Sequence, residues 1–409
     1  MRVLFLIHNT FGTSAYIKVS EMAEALAAIG HDVTLVGTSR TRRFSFECET
    51  KDGVRLILAP DLFSGRLRQG VDPWNGLRRV LRVRHMEFDV VHAIDCRPTV
   101  LLPMLYFRRV KQLPLVLSWW DWFGRGGTMT ERSSRLYQVT GGRVETWLEE
   151  AFRFEGHSAT VVASSLRDRL INLGYNAKRI LIQTPGCFTS RYPAVASDAE
   201  RRQLRSELSL PHDQVIQVYV GTLYRKDRTL LFAALRKLRE CMPLPITIIV
   251  GNREPDDEGS SLNVKFTGRL PALNDVLKYI RASDHALLPM RLSVSNMGRW
   301  PSKLGDYFCS GVSVVATAVS DLRGAFAETD IGVLADDDSP DAFADAMRTA
   351  VSNPSWMHAK GVNARRFAEQ KLDWLVIARN LSAWYQQTLV WAQAESSADE
   401  KHTRADVPP

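Results

Sequence analysis

Twice along the chain the same pattern appears: an apolar β-branched run, a glycine-bearing loop, a helical repeat and a second apolar run. First comes Arg2 to Ile7 (RVLFLI), a loop from His8 to Ser14 containing Gly12, then Ile17, Met22, Ala23, Leu26 and Ala27 at helical spacing. Gly30 closes that helix, and His31 to Gly37 (HDVTLVG) is the next strand. Two strands joined through a helix form a βαβ unit, which requires parallel pairing. The alternation continues through Val54–Leu58, Phe88–His92, Leu115–Ser118, Ala159–Ala163 and Ile180–Thr184. A polar linker over roughly 192–211 follows. The pattern restarts at Val215–Val220, with a helix over Thr229–Leu238 and strands at Ile246–Val250, Val264–Thr267, Ala286–Leu288 and Val312–Ala316. The fold class expected is α/β, with two Rossmann-like doubly wound domains facing a central cleft.

A chain of 409 residues accommodates two such domains, each with its own core. The expected division is an N-terminal domain over 1–190, a C-terminal domain over 191–372, a helix over 373–393 packing back on the first domain, and a disordered tail over 394–409. The five cysteines (Cys48, Cys96, Cys187, Cys241, Cys309) are odd in number and lack C-x-x-C spacing. That argues against a disulfide framework or a zinc site and suits a reducing cytoplasm. Residues 1–7 read as a strand rather than a signal peptide, and no apolar run reaches the roughly 20 residues that span a bilayer.

Net charge is +8, which favours an anionic partner. No nucleic-acid-binding motif accompanies it, so nucleic acid is not the expected partner. The first loop, HNTFGTS, lacks G-x-G-x-x-G, which disfavours a dehydrogenase. The stretch Arg66 to His85 carries Arg66, Arg68, Arg78, Arg79, Arg82 and Arg84 around Trp74, Leu77, Val80 and Leu81. Arginine around a short apolar stripe suits an anionic bilayer surface. Phe107, Arg108, Arg109 and Lys111 extend the patch, and a solvated helix face is the competing reading.

Several segments, in this order, resemble the retaining GT-B glycosyltransferases of family 4 over nearly the whole chain: the Gly12 loop, HDVTLVG, DVVHAID (89–95), ILIQTPGCF (180–188), VYVGTLYRKDRTLL (218–231), KFTGRL (265–270), SDHALLPM (283–290) and, most closely, PSKLGDYFCSGVSVVATAV (301–319). The resemblance implies transfer of a sugar from a UDP- or GDP-sugar to a glycan, lipid-linked or small-molecule acceptor, with retention, in cell-envelope polysaccharide synthesis. It implies a protein at the inner face of the membrane or in the cytoplasm. The nucleotide-sugar is a substrate, so no cofactor is expected, and no metal.

On the donor side the resemblance points to Gly221, Thr222, Leu270, Asn296, Ser302, Lys303, Leu304 and Asp306. A departing diphosphate needs fixed positive charge. Thr222 stands where the family often has Arg, and the family's Lys comes one position early, so Lys226 with Arg225 is the expected catalytic pair, read as lying in the loop after Gly221. Asp306 is expected to accept from the ribose hydroxyls. Gly298 replaces the family's earlier glutamate. On the acceptor side the expected residues are Gly12, His92, Trp120 and Asp121, the last as the group that orients the acceptor hydroxyl or takes its proton. Trp120 replaces a family His. Each has a plainer alternative: solvated cations for Arg225 and Lys226, a surface acid for Asp306, a helix N-cap for Asp121, a core histidine for His92. Two rival functions stay open, a non-catalytic sugar-nucleotide-binding partner of another transferase and a GT-B-type sugar-nucleotide epimerase.

Overall fold

The structure is a computed structural model and describes residues 1–63, 70–131, 135–251 and 257–405. It divides into two compact units. One comprises Met1–Pro185 together with the final helix, and the other is Gly186–Asp373. These boundaries lie a few residues from those expected, at 185/186 rather than 190/191 and at 373/374 rather than 372/373.

In the first unit eight strands form one sheet: β1 (Arg2–Thr10), β2 (Asp32–Thr38), β3 (Glu47–Lys51), β4 (Val54–Ala59), β5 (Val90–Ile94), β6 (Leu115–Trp119), β7 (Ser158–Val161) and β8 (Ile180–Ile182). Their order is β3-β4-β2-β1-β5-β6-β7-β8. All pairings are parallel except β3 with β4. The order reverses between β1 and β5, which places the unit's natural ligand crevice at the carboxyl ends of those two strands. Valine, isoleucine and leucine fill strands covered on both faces, and β5 is buried at every position. The edge strand β3 (ECETK) is polar and mostly exposed, so hydrophobic periodicity does not reveal it.

The second unit carries β9 (Ile216–Val220), β10 (Ile246–Val250), β11 (Val264–Gly268), β12 (His285–Leu288), β13 (Val314–Thr317) and β14 (Gly332–Ala335). They are ordered β11-β10-β9-β12-β13-β14, all parallel. Here the reversal lies between β9 and β12. The short β14 (GVLA) is not among the strands the sequence suggests.

The final helix, Trp374–Ala405, belongs to the first unit. Trp374 donates to Glu21 at 2.9 Å, His31 meets Ser382 at 2.9 Å, and Thr388 meets Ser158 at 2.7 Å. Glu395 pairs with Arg108 at 3.4 Å and with Arg179. The expectation of a disordered segment from residue 394 is thus corrected. Residues 392–401 contain neither Gly nor Pro and are rich in Ala and Glu, and the Glu395 pairs tie that stretch down.

Cys187 and Cys309, both buried and 122 positions apart, face each other in the second unit with Cα atoms 7.6 Å apart, wider than a disulfide normally spans.

Candidate functional site

In the second unit β9 ends at Val220, and Gly221 follows with φ +102°, a left-handed conformation that suits glycine. The Gly221 N–H donates to Val250 O at 2.8 Å. Gly251, at the end of the neighbouring β10, lies so close that a Cβ there would meet the Gly221 carbonyl at 2.1 Å. Two glycines thus let two strand ends approach, and beside them opens a cavity of about 200 Å³ lined by Gly221, Thr222, Gly251, Arg269, Leu270 and Val276. It sits at the carboxyl ends of β9 and β10, one strand away from the reversal between β9 and β12. Of the donor-side residues read from the sequence, Gly221, Thr222 and Leu270 line this cavity.

Lys303 approaches Gly221 from the helix Lys303–Cys309. Its Nζ donates to the Tyr219 hydroxyl at 2.7 Å and lies 3.9 Å from that ring's centroid. It also lies 4.0 Å from where a Cβ on Gly221 would stand. The Tyr219 hydroxyl in turn donates to Thr222 O at 2.9 Å. Burial pushes the Lys303 ammonium down to about 8, opposed by the nearby charges of Asp227 and Asp306.

Arg225 and Lys226 are not in a loop. They are the first two residues of the helix Arg225–Cys241, and both side chains are exposed. The helix starts four residues earlier than the apolar repeat indicates. Its extra turn, RKDR, has no breaker and carries Asp227, an acidic residue favoured near a helix start. Asp227 itself is buried and accepts from the Arg291 backbone N–H. Burial raises its pKa, and Lys303 is the largest influence in the other direction.

Asp306 is half-buried and its Oδ1 accepts from the Tyr192 hydroxyl at 2.6 Å. Leu304 is core: its side chain is fully buried and its N–H donates to Pro301 O. That corrects its donor-side placement, because an apolar side chain drawn into the core has nothing left to present. Asn296 spends its side-chain amide on Arg291 O at 2.8 Å, holding the loop that follows β12. Ser302 is exposed at the helix start and makes no capping hydrogen bond. Gly298 caps the short helix Val294–Met297 and brings no side chain to the site.

In the first unit Gly12 takes φ +80° in the exposed turn between β1 and the helix Ser14–Ala28, a conformational role. His92 is 1% exposed, with Nδ1 2.7 Å from the Tyr385 hydroxyl and Nε2 2.6 Å from Ser118 Oγ. Both ring nitrogens are engaged inside the core, which corrects its acceptor-side placement. Phe107 is likewise core, while Arg108 and Arg109 pair with Glu395 and Glu155, so the basic patch does not extend there. Trp120 and Asp121 are half-buried just beyond β6, and no helix begins at Asp121.

Sequence reasoning missed Asp95. It ends DVVHAID at the carboxyl end of β5, buried, with φ +62°. Trp120 N–H reaches its Oδ1 at 3.4 Å, His8 Nδ1 lies 3.8 Å from Oδ2, and Arg153 Nη2 lies 3.9 Å from Oδ1. Neither of those nitrogens has a hydrogen-bond partner. Burial, with Asp121 adding to it and Arg153 opposing, pushes the Asp95 carboxyl up to about 7. The signal was present: an acid immediately after a parallel strand stands where such sheets bind ligands.

Among the described residues no helix is long and apolar enough to cross a membrane, and no three metal-ligating side chains converge.

Residues 12–186 match the family described as "Glycosyl transferase 4-like domain", and residues 214–353 match "Glycosyl transferases group 1". The chain is 26% identical over 239 residues to D-inositol 3-phosphate glycosyltransferase of Corynebacterium glutamicum, spanning 55% of each protein, so it matches about half that relative's length. It is 24% identical over 393 residues to glycogen synthase of Mycobacterium tuberculosis, covering 88% of this chain and 87% of that one. Among solved structures, sucrose-phosphate synthase of Thermosynechococcus elongatus superposes with a TM-score of 0.70 at 17% identity, over 95% of this chain and 98% of that one. HepE of Anabaena, solved with UDP, gives 0.66 at 16% identity, over 95% and 100%. At such identities the structural likeness establishes the fold, two parallel-sheet domains of GT-B type.

Proposed function

The chain belongs to the group 1 glycosyltransferases of GT-B fold, and from that premise we propose that it transfers a hexose from a UDP- or GDP-sugar to a glycan, lipid-linked or small-molecule acceptor, with retention. The observation that carries the donor assignment is the cavity beside Gly221 and Gly251. It is glycine-walled, lies at the carboxyl ends of β9 and β10, and shares Gly221 with the Lys303 ammonium, which approaches that residue. Bare backbone at a strand end admits a phosphate closely, and a fixed cation meets its charge. HepE of Anabaena, a fold neighbour, binds UDP, which supports a uridine donor.

In this reading the bond between the sugar's C1 and the leaving diphosphate breaks as the acceptor oxygen bonds C1 from the same face. The acceptor's proton passes to the departing phosphate. Side-chain cations meet the leaving charge and no metal is invoked. Turnover is therefore expected to survive EDTA.

Of these acceptor classes, a lipid-linked one would place the protein in envelope polysaccharide synthesis as a peripheral visitor to the inner membrane face. Support comes from the helix Pro73–Val83, which turns Trp74, Leu77 and Leu81 outward beside exposed Arg82 and Arg84. Arg66 and Arg68, the start of the basic stretch, lie outside the described residues.

The test is a thermal-shift screen against UDP, GDP and their sugar conjugates. A ligand at about 100 times its dissociation constant adds roughly 2.7 kcal/mol of stability. Stabilisation by one nucleotide class names the base. Silence from both classes would remove the donor assignment.

A further inference from the structure

We infer that Lys303 is the cation that receives the donor's diphosphate. This rests on the nucleotide-sugar reading above and names the charge within it.

The loop after β9 supplies no buried cation. Thr222 is uncharged, and Arg225 and Lys226 point into solvent from a helix. An exposed lysine contributes little to binding an anion, because water and salt screen it. Lys303 differs in each respect. Its stem is half-buried, its ammonium is held by Tyr219, and it stands against Gly221. An ammonium carries three donors. One goes to the Tyr219 hydroxyl, and the other two have no hydrogen-bond partner among the described residues. A desolvated ammonium with two unused donors beside a glycine-walled cavity is built to receive an anion. The tyrosine fixes it there, so little ordering remains to be done when the ligand arrives.

The experiment is calorimetric titration of the full-length chain with UDP, GDP, uridine and guanosine at pH 7. The quantity read is the affinity gained by adding the diphosphate to the nucleoside. Lys303→Gln keeps an amide donor one atom short of the ammonium position but loses the charge. It is expected to lose most of that gain, about hundredfold, with nucleoside affinity unchanged. Lys303→Arg is expected to retain most of it and also controls for folding. Lys226→Ala is expected to change it less than threefold. Loss of the gain in Lys226→Ala with retention in Lys303→Gln would overturn the inference. If the wild type binds uridine or guanosine without any diphosphate gain, this inference fails while the nucleotide reading stands. If it binds none of the four, both fail.

Discussion

His92 Nδ1 lies 2.7 Å from the hydroxyl of Tyr385, a residue 293 positions further along the chain. The imidazole is in the middle of the first unit's sheet and the phenol is on the final helix, both fully buried. Burial pushes His92 down to about 3, so the neutral ring is the partner. Replacing Tyr385 by Phe keeps the ring and strands a buried nitrogen, at a cost of about 1–3 kcal/mol. Urea unfolding of the full chain should show an earlier transition for the first unit. An unchanged midpoint would mean that the hydrogen bond contributes nothing net.

Asp95 makes the same unit sensitive to pH. Its carboxyl is pushed up to about 7 by burial, whereas an unfolded chain holds an aspartate near 3.8. Between about pH 4 and pH 7 the folded form therefore binds more protons than the unfolded one. This group's contribution to stability falls as pH rises through that window and is constant above it. Asp95→Asn tolerates the left-handed backbone and cannot ionise. Its melting temperature should vary less between pH 4 and pH 7 than that of the wild type. Identical pH profiles would exclude Asp95 as the titrating group.

Gly251→Ala tests the approach of the two strand ends. The added methyl meets the Gly221 carbonyl at 2.1 Å, a backbone atom that cannot rotate aside. Overpacking of this kind costs about 1–3 kcal/mol and displaces the wall of the cavity. Nucleotide-induced thermal shifts should shrink more than the melting temperature of the free protein falls. A variant that melts early but responds fully to nucleotide would detach the cavity from the donor.

The helix Pro73–Val83 separates membrane docking from stability. Arg79 is fully buried and donates to Ile7 O, Thr38 Oγ1 and Asn75 Oδ1, so Arg79→Glu should unfold the first unit. Leu77→Ser with Leu81→Ser, or Arg82→Glu with Arg84→Glu, alters exposed positions only and should leave melting unchanged. Both pairs should reduce co-sedimentation with anionic liposomes at low salt. Unaltered co-sedimentation would leave the stripe an ordinary solvated face.

Much of the architecture could be read from sequence because strands buried on both faces are continuous runs of Val, Ile and Leu. RVLFLI, ITIIV and VIQVYV could hardly be anything else. β3 escaped because an edge strand such as ECETK need not be apolar, and β14 because four residues carry no period. At the site, Gly221 and Leu270 were legible, since a glycine ending a strand declares its own geometry. The difference in burial between Lys226 and Lys303 was not, since Lys303 is held by Tyr219, 84 positions away in the chain. For the same reason Leu304 and His92 were misplaced: each sits in a motif-like context, and only packing shows that their side chains face the core.

The final helix has a consequence for how the protein is made. Tyr385, Ser382 and Thr388 complete the first unit, yet they leave the ribosome after every residue of Gly186–Asp373. The unit translated second has its whole sequence in hand before the unit translated first. Until synthesis ends, the nascent amino-terminal sheet is exposed where that helix will lie, and a chain stopped early by a nonsense codon near its end carries the defect permanently.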